Sequence, residues 1–233
     1  FNSGPGIVAR RNYLHSRDHA DIPGGFTTGE TRAMGRGDEG ISCYPCRGNL
    51  FENNIVEDFD SAYTIQCKFN CNDNQYLGNI ALDSGNGIGF GARSDTNPNS
   101  LTQMPANEVV TNHLILRANA IDSGCTTCKN LRITNLSYLD SPSYGLTLKK
   151  GSSGNGEAGD GSTVSWFGVN ILMAGNAFLS VSGQDSWSMD HSLLFNNAGG
   201  YSPGLSDGHY TNTSTANPAL GTCKVFIPAG SPA

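Results

Sequence analysis

Residues 49–66, NLFENNIVEDFDSAYTIQ, and residues 76–93, YLGNIALDSGNGIGFGAR, state one pattern twice. Each has a short apolar run, an Asn, a second apolar run, a cluster of turn residues and a further strand-like stretch. Aligned on that Asn, the pattern recurs as GIVARRNYLHS (Asn12), NLFENNIVED (Asn54), QYLGNIALDS (Asn79), LILRANAIDS (Asn119), LRITNLSYLD (Asn135) and WFGVNILMAG (Asn170). A seventh copy, WSMDHSLLFN, sets His191 in the Asn slot. Self-similarity at a short fixed period is the mark of a repeat architecture, in which each unit buries its apolar face only against its neighbours.

Asparagine suits such a slot physically. Its short amide makes local backbone hydrogen bonds and tolerates left-handed geometry. Stacked at the spacing of about 4.8 Å between adjacent strands, successive amides hydrogen-bond in a ladder that satisfies groups too costly to bury alone. Four residues before the slot stand Val8, Leu50, Gln75, Ile115, Leu131, Trp166 and Trp187, a mainly apolar column expected to point inward. The residues just after the slot (Tyr13, Ile55, Ile80, Ala120, Leu136, Ile171, Ser192) are again mostly apolar. The intervals from Asn54 to Asn79 and from Asn170 to His191 suit one turn of a parallel β-solenoid. The longer step from Asn12 to Asn54 implies an unaligned turn, an inserted loop, or both. The step from Asn119 to Asn135 is too short for a usual turn, which sets those two alignments against each other.

Composition agrees with a β protein. The 233 residues include 30 Gly and 24 Asn, the residues of tight turns, and no long segment keeps a helical apolar period. A single all-β domain over residues 1–233 is expected, with residues 201–233 less regular. The net charge of −6, with no basic stripe, argues against a nucleic-acid partner. No apolar run reaches the roughly 18 residues that span a bilayer. Seven cysteines fall as Cys43-x-x-Cys46, Cys67-x-x-x-Cys71, Cys125-x-x-Cys128 and Cys223. With only 5 Lys and no redox-fold context, they imply an oxidising, secreted or cell-surface setting.

The repeats resemble those of right-handed parallel β-helix proteins of the pectate-lyase-like superfamily, especially secreted bacterial β-helix-repeat proteins. The resemblance covers roughly residues 6–200, and the tail NPALGTCKVFIPAGSPA (217–233) is similar to the closing segment of such repeats. It implies a single parallel β-helix of about seven recognisable turns with inserted loops and disulfide staples. Both ends look like cut solenoid, so other subunits or flanking domains are expected partners there. The superfamily holds lyases, hydrolases, adhesins and inert scaffolds, so the fold alone does not fix a function.

Candidate chemistry is sparse. Cys43, Cys46, Cys67 and Cys71 lie about one turn apart and read either as disulfides between neighbouring turns or as a four-thiolate zinc site. Cys125 and Cys128 read as a small local disulfide, and Cys223 is left over. HSRDHAD (His15, Arg17, Asp18, His19, Asp21) has groups for acid–base or metal work, but lies where a solvated turn is expected. Asp190 and His191, adjacent on a strand, are expected on opposite faces and so form no dyad by adjacency. Asp207 and His209 read as an exposed loop pair. Trp166 and Trp187 read as core packing rather than a sugar platform. No cofactor is expected outright; the loops at Asp83, at Asp95 and Asn97, and at Glu157 and Asp160 have oxygen ligands for calcium and are equally ordinary turns. Asn135-Leu-Ser and Asn212-Thr-Ser match the glycosylation acceptor pattern, with Asn135 expected to be inaccessible as a ladder member.

Against the superfamily's enzymes, the chain has none of the NTD and GHG phrases that the resemblance would require of a polygalacturonase-like hydrolase. Arg10 and Arg117, both two residues before a slot, lie on turns too far apart to cooperate and lack a clear set of acidic partners, so they are not read as a lyase site. The expected function is therefore a non-catalytic extracellular structural or interaction module, within a surface assembly or filament. The alternative is a calcium-dependent polysaccharide lyase acting on an acidic polysaccharide.

Overall fold

The computed structural model describes residues 5–15, 40–43, 46–57, 59, 63–68, 71–84, 86–91, 106–118, 128–140, 147–149, 165–174, 179–182, 186–195, 201–202, 204 and 206–216. Among them there is no helix, and every pairing of named strands is parallel. The largest stack runs through β1 (Val8–Arg10), β4 (Leu50–Glu52), β7 (Gln75–Leu77), β10 (Val109–Leu116), β11 (Leu131–Leu139), β13 (Ser165–Val169), β16 (Ser186–Asp190) and β19 (Tyr210–Thr211). A second stack in the same sheet joins β2 (Tyr13–His15), β5 (Ile55–Glu57), β8 (Ile80–Leu82), the second half of β10, that of β11, β14 (Leu172–Ala174) and β17 (Leu193–Phe195). Two smaller sheets hold β3 (Ile41–Cys43), β6 (Tyr63–Lys68) and β9 (Asn86–Gly91), and β12 (Thr147–Lys149), β15 (Leu179–Ser182) and β18 (Tyr201–Ser202). Each strand thus lies on its counterpart from the previous repeat, an all-β arrangement compatible with a β-solenoid.

The first stack has eight strands, one more rung than the sequence repeats indicate, because Tyr210–Thr211 of the tail continues it. Val8–Arg10 pairs directly with Leu50–Glu52, so the long step from Asn12 to Asn54 is one rung carrying an insertion. No helix among the described residues is long and apolar enough to cross a membrane.

Side-chain alternation along each strand sends one column into the core. Ala9, Phe51, Tyr76, Val110, Ile133, Gly168 and Met189 are in consecutive register and buried. Val56, Ala81, Ile115, Tyr138, Met173 and Leu194 form the matching column of the second stack. Phe51 and Tyr76 stack at 5.1 Å, and the buried Tyr138 hydroxyl donates to the Ala118 carbonyl at 2.6 Å. Each large side chain buried in this way contributes about 1.5–3 kcal/mol relative to exposure.

Gly168 is required by close approach. A Cβ there would meet Ile171 Cδ1 at 2.6 Å and Trp166 Cζ3 at 2.7 Å. Gly168→Ala is expected to lower unfolding free energy by about 1–3 kcal/mol, the usual cost of overpacking, read as a lower urea midpoint with unchanged slope.

The column four residues before the slot differs from its sequence reading. Leu131, Trp166 and Trp187 are in register and buried, with the indoles stacked at 5.5 Å. Val8, Leu50 and Gln75 are also in register, but Val8 and Gln75 are exposed and Leu50 is only half-buried. The residues after the slot divide in the same way: Tyr13 is 63% exposed, whereas Leu136 and Ile171 are buried. The cause is a one-residue slip between the early and late repeats, resolved at the corners between the two stacks.

Candidate functional site

Each corner is built by one residue with positive φ followed by one whose side chain enters the core. At the main corner the left-handed positions are Arg11, Asn53, Gly78, Asn112, Asn135, Asn170, His191 and Asn212, with φ between 47° and 62°. The residues that follow them are Asn12, Asn54, Gly78's neighbour Asn79, then His113, Leu136, Ile171, Ser192 and Thr213. Asparagine therefore appears at this corner in two roles: exposed, holding the left-handed bend, or buried, joining a ladder. The pair Asn53-Asn54 shows both, the first exposed and the second fully buried.

The buried ladder runs through the early rungs. Asn12 donates its backbone N–H and Nδ2 to Asn54 Oδ1 at 3.1 and 2.8 Å, and Asn54 does the same to Asn79 Oδ1 at 3.0 and 2.8 Å. Nδ2 of Asn54 also donates to the Ala9 carbonyl, and that of Asn79 to Phe51. His113 stands at the next rung, fully enclosed, with both ring nitrogens unpartnered. Burial in apolar surroundings pushes its pKa down to about 3, so the ring is neutral. Further on, Ser192 partly restores the ladder, accepting the Ile171 N–H at 3.1 Å.

A second interior column, absent from the sequence reading, begins with Asn49 and Asn74. Asn49 Oδ1 accepts from Ile7 N–H, Asn74 Oδ1 accepts from Asn49 N–H, and Asn74 Nδ2 donates to Glu108 Oε1 at 3.0 Å. Glu108 is fully buried, its Oε2 has no partner, and burial raises its pKa to about 8. Leu131, Trp166 and Trp187 continue this column as apolar residues. Both polar columns thus end in an ionisable group on the rung of β10. A Gly-Asn pair just before β4 and an Asp-Asn pair just before β7, each a turn residue followed by Asn, are the signal that could have found Asn49 and Asn74.

Asn135, Asn170 and His191 stand one residue before the buried column, and the member preceding them is Asn112. Asn135 Nδ2 donates to Asn112 Oδ1 at 2.8 Å, and Asn170 Nδ2 donates to Asn135 Oδ1 at 3.0 Å, on the exposed side of the corner. Asn135 is exposed rather than inaccessible. Asn119 lies outside the described residues; the alignment partner of Asn135 is Asn112, 23 residues earlier. The left-handed turn also overturns the expectation for Asp190 and His191. It breaks strand alternation, so both side chains emerge on the same side, with His191 Nδ1 2.9 Å from Asp190 Oδ2. Asp190 further accepts from Asn212 Nδ2 and Thr211 Oγ1, and these bonds lower its pKa to about 2.

The exposed corner borders a cavity of about 330 Å³ lined by Asn135, Ser137, Asn170, Ile171, Leu172, His191 and Leu193. The lining mixes two amides, a hydroxyl and an imidazole with aliphatic residues. On the preceding strand Phe167 and Val169 are 36% and 37% exposed. At the far end His209 stacks on Trp187 at 4.5 Å and is bonded to Asp207.

The other sequence candidates are placed as follows. Arg117 lies at a different corner, in line with the left-handed Asp83 and Asp140, and makes a two-pronged ion pair with Asp83. That pairing lowers the Asp83 pKa and raises that of Arg117, the wrong direction for a base. Arg10 lies 3.9 Å from Glu52. Cys46, Cys71 and Cys128 are buried, the Sγ atoms of Cys46 and Cys71 lie 3.0 Å apart, and Cys43 pairs with Cys67 in backbone register. The side chains of Cys43 and Cys67 lie outside the described residues, as do Cys125, Cys223, Arg17, Asp18, His19, Asp21, Asp95, Asn97, Glu157 and Asp160. His15 lies 3.7 Å from Glu57. Among the described residues no group of three or more His, Cys, Asp or Glu is arranged to hold a metal ion. Comparison with family models, curated proteins and solved structures finds no match to this chain.

Proposed function

We propose that the chain is a right-handed parallel β-helix of the pectate-lyase-like kind that acts as a non-catalytic extracellular structural or interaction module. Its contact surface is the groove along Asn135, Asn170 and His191. The observation that carries this reading is the outer row of hydrogen-bonded amides running along the stacking direction beside half-buried Leu172 and exposed Phe167 and Val169. Amides that repeat from rung to rung, with apolar side chains beside them on the rung of Asn170, match an extended polymer with hydroxyls on its edges and apolar faces between them. A polysaccharide has that chemistry.

Native electrophoresis in gels containing pectate, alginate or a neutral β-glucan tests the reading. At least one polymer is expected to retard the protein, and the double change Leu172→Ser with His191→Ala is expected to weaken retardation at least tenfold. With uronate polymers and calcium, absorbance at 235 nm is expected to stay flat. Rising absorbance would replace this reading with the lyase, and no retardation by any polymer would remove the groove as a polysaccharide site.

A further inference from the structure

We propose that Cys46 and Cys71 are the two halves of an inter-rung disulfide that closes when the protein meets an oxidising thiol–disulfide pool. Their Sγ atoms lie 3.0 Å apart, both buried, at equivalent places on consecutive rungs. The rungs are held together there by backbone bonds on either side: Asn72 N–H to the Cys46 carbonyl, and Gly48 N–H to the Asn72 carbonyl. Adjacent parallel strands set stacked Cα atoms about 4.8 Å apart, within the roughly 4.4–6.8 Å span that a disulfide requires. Closure thus needs rotation of side chains rather than movement of the rungs.

The same backbone register orders the other cysteines. Cys43 pairs in backbone register with Cys67, which leaves that pair together. Cys128 follows two rungs after Cys71, with the rung of Ala106 between them. Burial raises the Cys128 pKa further above the ordinary thiol range, which keeps it protonated and a poor nucleophile. Of the ways to join Cys43, Cys46, Cys67 and Cys71, the register thus selects the one that links neighbouring rungs.

With oxidised glutathione as the electron acceptor, one protein thiolate attacks the small disulfide and expels one glutathione thiolate. The second protein sulfur then attacks the mixed disulfide and expels the other. Two protein thiols lose two protons and two electrons, and one small disulfide becomes two thiols. Because both sulfurs are enclosed, the exchange occurs during folding or local opening of these rungs.

The test refolds the reduced full chain in a glutathione redox buffer, then maps linkages by proteolysis and mass spectrometry without reductant. Peptides carrying Cys46 and Cys71 are expected to be joined, and the midpoint of thermal unfolding is expected to fall by about 5–10 °C when reductant is added. Cys71→Ser is expected to abolish the linkage and to shrink the reductant effect to what a Cys43–Cys67 pair supplies, while Cys128→Ser leaves both in place. Linkage of Cys46 to Cys43, retention of both thiols in alkylatable form, or one zinc ion bound per reduced chain would each overturn the proposal.

Discussion

Replacing Asn79 by alanine is expected to remove about 3–5 kcal/mol of unfolding free energy. Its Oδ1 accepts both the backbone N–H and the Nδ2 of Asn54, and its own Nδ2 donates to the Phe51 carbonyl. All three partners belong to fully buried residues. A buried polar group left unpaired costs about 1–3 kcal/mol, and alanine leaves several such groups at one corner. The comparison is Asn135→Ala, which removes an amide with the same neighbour-to-neighbour bonding on the exposed side. Water replaces those partners, so the expected cost is about 1 kcal/mol, mostly the loss of a residue that tolerates φ of 55°. Urea unfolding of the two variants checks the difference. Equal losses, or a loss under 1 kcal/mol for Asn79→Ala, would remove the buried ladder as a main source of stability.

The second large effect is a dependence on pH whose sign reverses between two single variants. Glu108 stays protonated in the folded state up to a pKa of about 8, against 4.5 when free, so its contribution is complete below pH 4.5 and is lost as pH rises to about 8. His113 stays neutral down to a pKa of about 3, against 6.5 when free, so its contribution is complete above pH 6.5 and is lost as pH falls toward 3. Each slope is about 1.4 kcal/mol per pH unit. Between pH 4.5 and 6.5 the two slopes oppose and cancel, giving a plateau with declines on both sides.

Glu108→Gln keeps an oxygen for Asn74 Nδ2 and removes the ionisation. Its stability is expected to fall by about 2–3 kcal/mol as pH drops from 6.5 to 4.5. His113→Asn removes the imidazole and places an amide where Asn79 can donate to it, as Asn54 donates to Asn79. Its stability is expected to rise by a similar amount over the same interval. Chemical denaturation at several pH values between 4.5 and 6.5 reads both slopes. Two variants with the same slope would show that neither group titrates as its burial requires. The acidic side chains bonded at the surface, Asp83, Asp190 and Asp207, have lowered pKa values and lose their contributions only below pH 3.8. They leave the diagnostic interval undisturbed.

How much of the corner was legible in the chain depended on the residue. Asn12, Asn54 and Asn79 stand out because each lies between two short apolar runs, although the first two are 42 residues apart and the second two 25. Asn135 and Asn170 have the same flanks, yet they hold the bend and point outward. Both roles select asparagine, one for a left-handed backbone and one for a paired amide, and neighbouring positions along the chain serve them. Nothing local separates the two. Glu108 and His113 carry no such signal, because an isolated charged or aromatic-polar residue just after an Asn ordinarily faces water.

By itself the sequence determined the parallel repeat, the strand lengths and the chemistry of the corners, because strand propensity and left-handed tolerance act within a few residues. Only the tertiary structure decided which of two adjacent residues faces the core, which Asn is buried, and that the thiols of Cys46 and Cys71 meet. Those facts follow from the register between rungs 21 to 42 residues apart. Register is set jointly by every column that packs inside, so no single repeat specifies it.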